Sequence, residues 1–185
     1  MPEALIIIDY QNDFIPPDGA LAVSGGDEIV QRLNELAADD RWDLVLATRD
    51  WHPANHGSFA EQGGPWPVHC VQGTHGAELS AELDSDRIDA IIDAGQEPDA
   101  EGYSGFENED LASLLRERGI TDVTIVGLAT DYCVLHTARD ALANGFNVTI
   151  DRSAVRPVDV EPGDGERALR ELEELGASVT SASLR

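Results

Sequence analysis

Lysine is absent from this 185-residue chain: all 12 basic residues are arginine, set against 36 Asp and Glu. The formal net charge of −24 repels nucleic acid and anionic membranes, so neither is expected as a partner. The acids are scattered, not blocked, which argues against a disordered acidic tail. Counterions screen such self-repulsion at high salt, and adaptation to high salt is the expectation. A genome that writes Arg for Lys is the plain alternative. Cysteine is scarce too. Cys70 and Cys133 give no disulfide framework, and a thiol-based enzyme would want a reducing cytoplasm. Long apolar runs are missing. The first, Ala4 to Ile8, follows Pro2 and Glu3 and is too short for a signal peptide or a membrane span. A chain of this length is expected to bury a full core as one domain, residues 1–185.

What is present is an alternation of strand and helix patterns. Ala4 to Ile8 is a continuous apolar run ending in Asp9, as in a central parallel strand. Asp27 to Ala38 carries Ile29, Val30, Leu33, Leu36 and Ala37 at helical spacing. Further strands are expected at Leu44–Ala47, Ile88–Ile92, Val123–Gly127, Phe146–Ile150 and Ala177–Ser181, and further helices at Asn108–Arg118 and Gly165–Leu175. The pattern predicts an α/β fold: three layers, a doubly wound, mainly parallel six-stranded sheet with helices on both faces. Ligands in such sheets bind beyond the carboxyl ends of the strands. Asp9, Asp50, the 93–95 stretch and the segment that opens at Thr130 all fall at such ends.

The stretch 127–145 holds the most chemistry. After the strand, Thr130 and Asp131 read as helix-opening residues. Val134, Leu135, Ala138, Ala141 and Leu142 follow at helical spacing, and Gly145 stops the helix. Cys133 is thereby expected in a first helical turn, where backbone N–H groups and the helix dipole favour a thiolate and can hold an oxyanion. A small buried helical cysteine is the plain alternative. Asp9 reads either as a general base for Cys133 or as an acid that caps a loop.

Four of the five histidines fall within residues 52–75, a clustering that ordinary surface hydrogen bonding does not explain. Asp50 and His52 sit two apart after a strand, on one side of an extended segment, with His56 and His69 following. Asp with two or three His suits Zn²⁺, Fe²⁺ or Mn²⁺. His75 and His136 read as bystanders. The loop aromatics Phe14, Trp66, Tyr103 and Phe106 suggest a small aromatic substrate.

Five ordered motifs carry a resemblance along nearly the whole chain. They are Leu5-Ile6-Ile7-Ile8-Asp9-Tyr10-Gln11-Asn12-Asp13-Phe14, Thr48-Arg49-Asp50-Trp51-His52-Pro53, Gly64-Pro65-Trp66-Pro67-Val68-His69-Cys70-Val71-Gln72, Glu101-Gly102-Tyr103-Ser104-Gly105-Phe106 and Gly127-Leu128-Ala129-Thr130-Asp131-Tyr132-Cys133. Together they resemble the nicotinamidases of the isochorismatase-like cysteine hydrolases. The resemblance implies a metal-dependent hydrolase converting nicotinamide to nicotinate and ammonia in NAD salvage. It implies Cys133 as nucleophile, Asp9 as proton acceptor, and the N–H groups of Ala129 and Cys133 as oxyanion hole. It also implies a cis bond between Leu128 and Ala129. Asp50, His52 and His69 would bind one divalent metal, Zn²⁺ first, that holds the pyridine nitrogen, with His56 a further ligand in some relatives. Phe14, Trp66, Tyr103 and Leu128 would enclose the ring. A homo-oligomer, dimer or tetramer, is implied by resemblance alone.

One position departs. The family's catalytic lysine ends its third strand, and alignment on Glu97-Pro98-Asp99 puts Ala94 there. Without that cation, the pKa values of Asp9 and Cys133 should both rise, and acylation should be severely slowed. Ala94 is either an introduced knock-out or a natural change. The rivals are a hydrolase of another amide or carbamoyl compound, and a catalytically silent protein that binds metal and nicotinamide. A vinyl-ether hydrolase of the isochorismatase type fits less well, since those lack the cysteine and the metal set.

Overall fold

The first apolar run forms the middle of a sheet. In the computed structural model, which describes residues 1–181, β1 (Glu3–Ile8) lies between β2 (Leu44–Asp50) and β4 (Asp122–Leu128). Beyond them lie β3 (Ala90–Ala94), β5 (Asn147–Arg156) and β6 (Ser178–Thr180). The order is β3-β2-β1-β4-β5-β6, with every neighbouring pair parallel. Connections reverse direction between β1 and β4. The crevice at that switch point, beyond the strand carboxyl ends, is where ligands bind in such sheets.

Side-chain alternation along β1 divides the core. Leu5 and Ile7 pack with Ile29, Leu33 and Ala37 on the face covered by α1 (Val30–Ala37). Ile6 and Ile8 pack on the opposite face with Leu111 and Leu115 of α2 (Glu109–Glu117), Ala138 of α3 (Leu135–Ala143) and Leu169 and Leu172 of α4 (Asp164–Glu174). All four β1 side chains are fully buried, each contributing roughly 2 kcal/mol from area burial. The three-layer expectation therefore holds, and the sheet is parallel throughout. No helix among the described residues is long and apolar enough to cross a membrane. Of the expected domain span 1–185, residues 182–185 lie outside the described residues.

Element ends differ from the sequence expectation for local reasons. The first helix is preceded by a 3₁₀ turn at Gly26–Ile29. The third strand starts later than Ile88, because a 3₁₀ turn at Ser85–Arg87 precedes it. β5 runs on to Arg156, past the expected end at Ile150, with a register shift against β4 between Ile125 and Gly127. Asn108 caps α2 as its type suggests, accepting the Asp110 N–H at 3.0 Å. The loop after β2 is fixed by Gln11, whose amide donates to the carbonyls of Asp50 (2.7 Å) and Ala77 (2.8 Å) and accepts the Asp50 N–H (2.9 Å).

Candidate active site

Asp9 leaves β1 with φ 48°, a left-handed conformation that turns the chain sharply at the strand end. Its carboxylate is buried and accepts the Thr48 hydroxyl at 2.8 Å. β4 delivers Cys133 to the same place. Donor atoms of Asp9, Asp50 and Cys133 all lie within 4.8 Å of one another. Burial, then the neighbouring Asp50 charge, push the Asp9 carboxyl well above the usual range, against the opposing hydrogen bonds from Cys133 and Thr48.

The local structure at Cys133 corrects the sequence expectation. Thr130–Val134 forms a π-helical turn, and α3 begins only at Leu135. Neither expected helix-opening side chain caps it. The Thr130 hydroxyl is buried without a partner, and the Asp131 carboxylate bonds elsewhere. The thiol pKa is not depressed, as helix position alone suggests, but raised, as the missing lysine leads one to expect. Burial and the charge of Asp9 push it well above its ordinary value, because a buried thiolate beside a carboxylate is unfavourable. The peptide between Leu128 and Ala129 is cis.

Asp50, the last residue of β2, joins His52 and His69 in a second buried group within 4.8 Å. His52 Nδ1 donates to the Gly95 carbonyl at 2.8 Å, and His69 Nδ1 to the Pro67 carbonyl at 2.8 Å. Both Nε2 atoms then face Asp50 Oδ2, at 3.3 and 3.8 Å. Backbone acceptors that orient the far nitrogen are what metal-ligating imidazoles require. Asp50 Oδ1 is buried with no hydrogen-bond partner, a costly state unless a cation satisfies it. These three residues therefore fit a divalent metal. Burial would lower the His52 pKa, but Asp50 and the Gly95 carbonyl outweigh it and the net shift is upward. At His69 burial prevails and the shift is downward. His56 stands apart from this group. It stacks on His52 at 3.8 Å, with Nδ1 bonded to Ser58 (2.7 Å) and Nε2 to the Ala100 carbonyl (2.6 Å). Both of its nitrogens are thus engaged by protein.

An apolar pocket opens onto Cys133, Asp50 and His69. The expected Phe14, Trp66, Tyr103, Leu128 and Ala129 line it. Trp66 Nε1 donates to the Tyr103 hydroxyl at 2.9 Å, and the Tyr132 ring packs edge-on to Trp66 at 5.2 Å. Phe106 instead packs on the core, 6.1 Å from Phe146. Sequence reasoning missed Leu21, Val23, Tyr132 and Val158, which complete the lining. Leu21, Val23 and Val158 come from irregular segments with no periodic signal. Tyr132 had one available signal, its place next to Cys133. Ala94 is buried at the end of β3, in register with Asp50. Among the described residues no arginine lines the cavity, and the positive charge nearest these acids is what His52 can carry beside Asp50.

A thiol, two carboxylates and two imidazoles gathered at the switch point of a parallel sheet give the layout of an α/β hydrolytic enzyme. Comparison narrows this class: the sequence matches the isochorismatase domain over residues 3–183, and the chain belongs to that family. It is 38% identical to the nicotinamidase of Escherichia coli over 96% of this chain and 94% of that protein. Among solved structures it is similar to PnC1 from L. infantum in complex with nicotinate, with TM-score 0.93 and 39% identity, covering 98% of this chain and 93% of that one. It is also similar to the pyrazinamidase of Pyrococcus horikoshii in complex with zinc, with TM-score 0.90 and 49% identity, covering 98% and 99%.

Proposed function

We propose that this chain is a metal-dependent amidohydrolase that converts nicotinamide to nicotinate and ammonia. The observation that carries the reading is the buried triangle of Asp9, Asp50 and Cys133, two of whose members, Asp50 and Cys133, line an apolar pocket walled by Phe14, Trp66 and Tyr103. Relatives named nicotinamidase, and a neighbour holding nicotinate, support the substrate.

The ring lies between Phe14, Trp66, Tyr103 and Leu128, which exclude water from the carboxamide. Asp9 takes the thiol proton as Cys133 Sγ attacks the carboxamide carbon. The N–H groups of Ala129 and Cys133 hold the oxyanion. The C–N bond then breaks, and Asp9 returns the proton to the departing ammonia. Water adds to the thioester with Asp9 again as base, releasing nicotinate and restoring the thiol. The raised proton affinity of Asp9 suits it to accept the thiol proton and hold it until ammonia departs. Asp50, His52 and His69 would hold the divalent metal, Zn²⁺ by their donor chemistry, with Fe²⁺ or Mn²⁺ as alternatives. When bound, that ion supplies a Lewis-acidic anchor for the pyridine nitrogen.

Ala94 sets the rate in this reading. With no cation beside Asp9, the forming thiolate and the carboxylate are charged poorly for attack, and acylation is slow. A role in NAD salvage, a cytoplasmic setting, one catalytic domain over residues 1–185 and a homo-oligomeric state are parts of the same proposal. The test is ammonia release from nicotinamide by the Zn²⁺-loaded chain and by Cys133→Ala. Slow release that vanishes in the variant supports the reading, and equal rates contradict it. A second reading, a binder of metal and nicotinamide without turnover, is favoured by Ala94. Calorimetric binding with no ammonia release would select it.

A further inference from the structure

The Asp131 carboxylate spans two parts of the pocket. Asp131 lies in the π-helical turn, two residues before Cys133 and next to Tyr132. Its Oδ1 accepts the Val158 N–H at 2.9 Å, and its Oδ2 accepts the Asp159 N–H at 2.9 Å. Val158 lines the same cavity as Tyr132 and Cys133. Asp159 holds a left-handed backbone (φ 53°), and its own carboxylate accepts the Gly165 N–H at 2.8 Å in the first turn of α4. One acid thus connects the turn that carries the thiol, the segment that walls the cavity, and through Asp159 the start of a helix.

We infer that Asp131 is a positioning residue, whose paired bonds to the Val158 and Asp159 amides lock the Cys133 turn against the cavity wall. The inference rests on the reading that Cys133 serves a nicotinamide pocket. Several features favour it over an ordinary loop bond. A residue of this type after a strand would be expected to cap its own helix, but no side chain caps this turn. The carboxylate instead reaches a segment that follows the next strand. Both oxygens are used, and bonds from N–H groups to an ionised carboxylate are stronger than neutral ones. The Val158–Asp159 segment lies outside the regular elements; besides these two bonds it is held by Val158 packing on the core and by the Asp159–Gly165 bond.

The test uses the full Zn²⁺-loaded chain, with Asp131→Ala, Asp131→Asn and a control on the neighbouring surface, Arg139→Ala. The control breaks the 2.8 Å ion pair between Arg139 of α3 and Glu171 of α4, neither of which lines the cavity. Three quantities are read: melting temperature, nicotinamide affinity by calorimetry, and the iodoacetamide alkylation rate at Cys133, mapped by peptide mass. Asp131→Ala is expected to weaken nicotinamide binding about tenfold, the scale of losing charge-assisted hydrogen bonds, and to speed alkylation of Cys133 several-fold. Asp131→Asn keeps one acceptor and should fall between, at about threefold. Arg139→Ala should lower the melting temperature and leave the other two readouts unchanged. Native-like binding and alkylation in Asp131→Ala would overturn the inference, as would the same changes in Arg139→Ala. Should Asp131→Ala fail to fold, native values in Asp131→Asn overturn it. If the native chain binds no nicotinamide, the substrate reading fails, and the alkylation comparison alone decides the role of Asp131.

Discussion

His52 Nε2 stands 3.3 Å from Asp50 Oδ2, while the other oxygen of that carboxylate, Oδ1, is buried and bonded to nothing. A half-satisfied buried carboxylate beside two oriented imidazoles has the donor set and the unmet valence of a metal site. Asp50→Ala and His69→Ala should each lose metal, with affinity for Zn²⁺ falling by about a hundredfold or more. His56→Ala should keep it, because both His56 nitrogens are bonded within the protein. Metal content of the dialysed variants checks this. Loss in His56→Ala equal to that in His69→Ala would enlarge the ligand set.

Asp9 is held at a cost to stability. Burial raises its folded-state pKa above its unfolded value, so between those two values the folded chain binds the proton more tightly. Stability therefore falls as pH rises through that window, starting near pH 4. Asp9→Asn removes the penalty. In chelator-treated protein it should melt a few degrees higher at pH 7, at about 2–4 °C per kcal/mol for this size. The gain should shrink toward pH 4. It should also abolish turnover. A variant that melts lower at pH 7, with a gain that grows on acidification, would reverse the sign.

The Trp66 Nε1 bond to the Tyr103 hydroxyl, 2.9 Å long, holds two cavity walls together. Trp66→Phe and Tyr103→Phe each remove it. Each should raise KM for nicotinamide roughly three- to tenfold, with kcat changed less. A loss confined to kcat would mean that the pair acts on the chemistry and not on binding.

With 36 acids and 12 arginines, the chain repels itself at low ionic strength. Its melting temperature should climb steadily from low salt to molar KCl as the repulsion is screened. A flat response would leave codon bias as the account of the missing lysines.

Much of this was legible before any coordinates. The β1 run from Ala4 to Ile8, the helical stripe at Leu111 and Leu115, and the Gly145 stop are local patterns with single physical meanings, and they predicted the alternation that fixes a parallel sheet. Asp9, Asp50, His52, His69 and Cys133 could be named because strand ends and residue types converge. Their separations could not, since these depend on pairings between distant segments such as Asp50 with Ala94. At Cys133 the pull of helix position toward a thiolate is local, whereas burial beside Asp9 is tertiary and outweighs it, so the thiol pKa rises, as was expected for a site without the lysine. Leu21, Val23 and Val158 reach the cavity from irregular segments that carry no period. The Asp131 bonds join segments separated by a whole strand.

The central claim is tested most directly by ammonia release from nicotinamide, with native chain and Ala94→Lys loaded with Zn²⁺ and assayed side by side in KCl. Ala94 ends β3 opposite Asp50, where a lysine would restore a cation beside the buried acids. The account predicts turnover in Ala94→Lys at least about a hundredfold above the native chain, the scale of a lost catalytic proton partner. Equal turnover would show that Asp9 and Cys133 suffice without a cation. Absence of turnover in both would contradict the assignment of this site to nicotinamide hydrolysis.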